Sequence, residues 1–133
     1  MTTSIHLVGN LTRDPELRFI PSGAAVANFG VAINTRRKEG NEWVDSDPEF
    51  YDVVCWRELA ENVAESLLKG QRVVVVGKLS QRSWQQDDGS TRSKVEVVAD
   101  SVGPDLRWAT AQVTRTERSN GSGGYQNDQR EPF

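Results

Sequence analysis

Ala27, Phe29, Val31 and Ile33 fall at every second position, so an extended chain carries all four on one side. The same period of two runs through residues 50–56, 72–84 and 91–99, and turn-forming residues separate the runs. A strand with one apolar face is stable only when that face is covered. In a chain of 133 residues the cover has to come from the other strands. The class is therefore mainly β.

The shorter stretches fit this scheme. Residues 4–12 carry Ile5 and Leu7 with a break at Gly9-Asn10, residues 16–20 follow, and Pro21-Ser22-Gly23 makes a turn before the long strand over 24–35. Asp87-Asp88-Gly89 between 72–84 and 91–99 is a strong hairpin signal. One segment departs from the period: Leu59, Val63 and Leu67 recur every four residues over 57–69, with Ala60 and Ala64 beside them and Gly70 as C-terminal cap, which predicts one amphipathic helix. A single helix between the third and fourth long strands is the element order of the OB fold, a five-stranded Greek-key barrel plugged at one end by the helix. Other small barrels share the pattern.

The hydrophobic share of 36% and charged share of 26% are those of one ordinary domain. Residues 111–133 are rich in Gly, Ser, Asn, Gln and Thr, and read as a flexible tail behind a domain spanning 1–110. The tail's charges cancel, Arg115, Arg118 and Arg130 against Glu117, Asp128 and Glu131, so the domain carries the net charge of −3. Attraction to a polyanion must then come from a local patch. The longest apolar runs, Val73 to Val76 among them, are far too short for a membrane span, and the polar start lacks a signal peptide's apolar stretch, so a cytoplasmic protein is expected.

Enzyme chemistry finds no foothold. Gly70 and Gly77-Lys78 hint at a phosphate loop, but their spacing is wrong and Leu79 stands where Ser or Thr should hold magnesium. Asp45, Asp47 and Glu49 alternate as in a calcium loop, yet Pro48 intrudes and Phe50 replaces the glycine of the sharp turn, which leaves a solvated acidic hairpin. Glu58, Glu61 and Glu65, with Lys69 four beyond the last, make an ordinary exposed helix face. His6 lacks a nucleophile motif around it. Cys55 stands alone, in phase with Tyr51 and Val53, as a core residue, with an inter-subunit disulfide as the alternative. No metal and no cofactor is expected.

The positive signal is aromatic. Period two puts Phe50, Asp52, Val54 and Trp56 on one face, and Asp52 argues against burying that face. Trp84 lies just before a hairpin turn, where a ring is hard to bury. Cations lie close in sequence: Arg36-Arg37-Lys38 at the end of the second long strand, Lys78 and Arg82 before Trp84, and Arg92 and Lys94 on its hairpin partner. Rings among cations suit a single-stranded nucleic acid, whose bases stack while its phosphates pair with Arg and Lys. Burial of the same rings in a core is the plainer alternative.

With these residues the chain resembles the bacterial single-stranded DNA-binding proteins over about residues 4–100. The resemblance rests on His6-Leu-Val-Gly-Asn-Leu-Thr-Arg-Asp-Pro-Glu-Leu-Arg18, on Gly23-Ala-Ala-Val-Ala-Asn28, on Leu59-Ala60 through Leu68-Lys69-Gly70, and on Val76-Gly77-Lys78-Leu79 leading to Trp84. It implies an OB fold, a homotetramer and sequence-tolerant, non-catalytic binding of single-stranded DNA in replication, recombination and repair, near the nucleoid. It also places Phe50, Trp56 and Trp84 at stacking positions and Arg82 at a phosphate contact, with Lys69 and Arg72 around another basic position.

Several residues depart from the family pattern. Asp52 and Glu58 stand where basic residues are common, and Arg36-Arg37-Lys38 replaces an expected aromatic, a role that falls to Trp43 as the nearest ring. Family members end in an acidic tip closing on Pro-Phe, which recruits genome-maintenance proteins. Here Pro132 and Phe133 are kept while Arg130 interrupts the acidic run, so weak recruitment and a short-tailed paralogue are expected. The competing function is an OB-type accessory module whose ligand is a protein or RNA.

Overall fold

A computed structural model describes residues 3–34, 36–45 and 47–116, with the backbone alone at 36, 37 and 45. Its elements are β1 (Thr3–Leu11), β2 (Glu16–Phe19), β3 (Ala25–Ile33), β4 (Arg36–Glu39), β5 (Glu42–Asp45), β6 (Glu49–Trp56), α1 (Arg57–Ser66), β7 (Arg72–Gln85) and β8 (Thr91–Pro104). The main sheet runs β1-β7-β8-β6-β3-β2, and a further β1–β3 pairing closes it on itself. Five strands thus form a barrel in which β6 and β8 meet parallel and the other pairs are antiparallel. This is the OB fold, with α1 between its third and fourth strands.

Closure depends on β1 serving two neighbours. It pairs with β7 from Thr3 to Asn10, and then Asn10 and Leu11 pair with Ala32 and Val31 of β3. The expected break at Gly9-Asn10 is thus a corner inside one continuous strand. A Cβ on Gly9 would run into the Ala32 carbonyl and the Val31 side chain, so only glycine allows the two strands to approach there. Gly77, beside the register shift in the β7–β8 ladder, is hemmed in the same way by the Val98 carbonyl.

The inward set is the one the period selects. Ala27, Phe29 and Val31 of β3, Val53 and Cys55 of β6, Val73 and Val75 of β7 and Val97 of β8 are buried around Leu7 and Leu11, while Ala60, Val63 and Leu67 close one end. Each fully buried Val, Leu or Phe among them contributes about 1.5–3 kcal/mol. Cys55 is among them, and burial pushes its thiol up to about 11.

Two expectations need correction. The helix ends at Ser66, not Lys69: Leu67 is already extended, although its N–H still bonds the Val63 carbonyl at 3.0 Å. The next amides find partners elsewhere, Leu68 on Gln71 Oε1, Lys69 on Asp14 Oδ1 and Gly70 on the Leu11 carbonyl, so the chain loses nothing by leaving the helix. The second long strand likewise stops at Ile33, and Arg36-Arg37-Lys38 opens a separate two-stranded hairpin, β4–β5, instead of ending it.

Candidate nucleic-acid interface

The side of β6, β7 and β8 that turns away from the core is defined by register. Lys78 lies opposite Val98, Ser80 opposite Glu96, Arg82 opposite Lys94 and Trp84 opposite Arg92. Val98 in turn pairs with Val54 of β6, so Asp52 and Phe50 continue the rows of Glu96 and Lys94, and Trp56 stands beyond Val54. Alternation therefore gathers Phe50, Trp56, Trp84, Lys78, Arg82, Arg92 and Lys94 on one outward face.

The rings are open to solvent: Phe50 is 68% exposed, Trp84 44% and Trp56 40%. The plainer alternative of core burial thus fails for all three. Trp56 is fixed by the abrupt entry into α1, which starts at the next residue with Arg57 in the left-handed region, φ +61°. Such a conformation costs a non-glycine residue about 1–2 kcal/mol and turns the chain with no intervening loop. Phe50 and Trp56 are six residues apart on one strand, roughly 20 Å, which is the scale of several nucleotides and not of one base.

The cations on the face are not all free. Lys94 Nζ lies 3.2 Å from Asp52 Oδ2, and Arg82 Nε lies 3.6 Å from Glu96 Oε1. The Arg82 guanidinium also sits 5.7 Å from the Trp84 ring centre, a cation–π contact that steadies both side chains.

Other expected site residues lie on other elements or at the opposite end of β7. Trp43 is exposed on the β4–β5 hairpin opposite Lys38, and Arg36 and Arg37 begin β4. Lys69 is exposed in the loop after α1, where its amide is held by Asp14. Arg72 is at the far end of β7, with Nε 2.7 Å from Asp105 Oδ2 and the guanidinium 4.8 Å from the Trp108 ring. The Arg72 hydrogen bond, followed by one from the Arg107 amide, holds the Asp105 carboxyl below the usual carboxylate range. Pro132 and Phe133, the flexible-tail expectation and most of the tail itself lie outside the described residues.

Trp108 is a further exposed ring that no sequence period marks. Its ring is 70% exposed and lies 5.0 Å from the Arg107 guanidinium as well as near Arg72. It follows β8 in an irregular turn, where no period marks a side chain, and only the adjacent Arg107-Trp108 pair offered a signal. Among the described residues no three His, Cys, Asp or Glu side chains come together as a metal site. The expected acidic hairpin does not form: Asp45 ends β5, which pairs with β4, Asp47 lies between the strands, and Glu49 begins β6, where it accepts a hydrogen bond from Tyr51 at 3.1 Å that raises the Tyr51 hydroxyl pKa. Among the same residues no helix is long and apolar enough to cross a membrane.

Comparison with known proteins agrees with this geometry. A profile of the single-strand binding protein family matches residues 2–105. The single-stranded DNA-binding protein of Paenarthrobacter aurescens is 51% identical over 123 residues, covering 91% of this chain and 72% of that one. That of Mycobacterium tuberculosis H37Rv is 54% identical, covering 91% and 75%. Among solved structures, the small single-stranded DNA-binding protein from Streptomyces coelicolor superposes with a TM-score of 0.67 at 31% identity, covering 80% of this chain and 96% of that one.

Proposed function

The chain belongs to the single-strand binding protein family, and from that premise we propose that it binds and protects single-stranded DNA through the outward face of β6, β7 and β8. One observation carries the assignment to this face: the three rings stand exposed together among Lys78, Arg82, Arg92 and Lys94. Phe50, Trp56 and Trp84 stack bases, and the cations pair with phosphates. A base stacked on a ring contributes about 1–3 kcal/mol irrespective of its identity, so binding is tolerant of sequence. The face offers stacking and charge, and with the family membership this supports a binding protein.

We further infer a homotetramer working in the cytoplasm and at the nucleoid in replication, recombination and repair, as the family membership suggests. The domain of residues 1–110 supplies both DNA binding and assembly. The segment carrying Pro132 and Phe133 recruits partners weakly because Arg130 interrupts its acidic run.

The test is intrinsic tryptophan fluorescence during titration with a long oligothymidine and then with duplex DNA. Strong quenching by the single strand and little by the duplex is the expected result. Absence of quenching by either would assign the rings to a protein interface and favour the accessory-module reading.

A further inference from the structure

Two carboxylates stand in the middle of a face whose ligand is an anion. Asp52 lies between Phe50 and Val54 on β6, so a strand stacked on both Phe50 and Trp56 has to pass it. Glu96 occupies the neighbouring position on β8, since Val54 pairs with Val98 and both residues are two steps earlier on parallel strands. Like charges side by side repel, and here each is balanced by a cation: Lys94 on Asp52 at 3.2 Å and Arg82 on Glu96 at 3.6 Å. The Glu96 side chain is only 14% exposed, so its charge is held at the face and less screened than a mobile surface carboxylate.

We infer that Asp52 and Glu96 are resident competitors for phosphate, which hold Lys94 and Arg82 until a DNA strand displaces them and so set the affinity and its salt dependence. The inference rests on the DNA-binding reading above. The Lys94–Asp52 pair is half-exposed, and the Arg82–Glu96 contact is long at 3.6 Å with Arg82 itself exposed, so phosphate can displace each carboxylate, but the freed carboxylate then lies beside the phosphates and has to gather counterions from solution. That uptake offsets the ions released from the DNA. Lys78 and Arg92, with no carboxylate partner among the described ion pairs, contribute their full share.

The test measures equilibrium binding of labelled oligothymidine by the full chain over a range of salt concentrations, with Asp52→Asn, Glu96→Gln and the double variant. Each single change is expected to tighten binding about three- to fivefold at low salt and the double change about tenfold or more. The slope of log affinity against log salt should steepen by about 0.7 for each cation set free. Glu65→Gln, on the exposed side of α1, alters net charge equally and should leave affinity within about twofold of the parent. Asp52→Ser repeats the test with a smaller side chain should the amide disturb the sheet. Affinity and slope unchanged or weaker in the Asp52 and Glu96 variants, with the parent binding normally, would overturn the inference. A parent that does not bind the single strand would overturn the function itself, so the two failures are distinguishable.

Discussion

On β6, Val53 and Cys55 are fully buried, whereas Phe50 and Trp56, larger and no less apolar, stand open to solvent on the opposite side. The inner residues share the barrel interior with Phe29, Val75 and Val97, where a change of one methylene is felt. The outer ones face solvent beside a salt-bridged lattice of charges. One strand thus carries two independent sets of residues, and on the proposed function the chain folds by one and binds by the other.

The largest expected effect attacks the inner set. Phe29→Ala should lower the unfolding free energy by about 3–5 kcal/mol, read by denaturant titration, because a barrel closed on all sides cannot collapse around the cavity. A loss below about 1 kcal/mol would show the interior to be far more plastic than its burial implies. Next is Cys55. Its folded-state pKa, about 11, lies above the ordinary value of 9.0, so the stability its neutral thiol supplies is fully present below pH 9 and is lost as pH rises through 11. The decline across that window should approach about 2 kcal/mol and should flatten in Cys55→Ala.

Changes on the outer side should move binding and leave folding nearly untouched. Trp84→Ala should weaken oligothymidine binding by about 1–3 kcal/mol with an unchanged melting temperature. A drop in melting temperature as large as that of Phe29→Ala would break the separation of the two sets. Lys78→Ala should reduce the salt slope by about 0.7 with a smaller loss of affinity. The smallest effect on binding is expected from Arg72→Ala. It removes the clasp on Asp105 and Trp108, so a modest fall in melting temperature with nearly parental affinity is the outcome; a loss matching that of Lys78→Ala would return Arg72 to the binding site.

The two sets were unequally legible in the sequence. Strict alternation in β3, β6 and β7 identified the inner residues, and the same alternation placed Phe50 and Trp56 outside. The apolar period carries the helix three residues too far because Leu67 is buried whether helical or extended, and such a period records burial, not backbone angle. The β4–β5 hairpin was missed because its strands are short and charged, with no apolar face to reveal a period. The Lys94–Asp52 pair was invisible for a different reason: the adjacency of β6 and β8 arises from barrel closure, which no local pattern encodes.

That closure leaves a seam. Val53 and Val54 of β6 meet Val97 and Val98 of β8 in the described parallel register, against a β7–β8 ladder that runs from Val73 and Pro104 to Gln85 and Thr91. Phe50 and Trp56 lie on one side of the seam, and Arg82 and Trp84 on the other. On the proposed function, a single strand bound to all of them would span it like a suture, and ligand and fold would hold the same joint closed. Loosening that joint would splay the landing sites apart and weaken binding without altering any residue that touches the DNA.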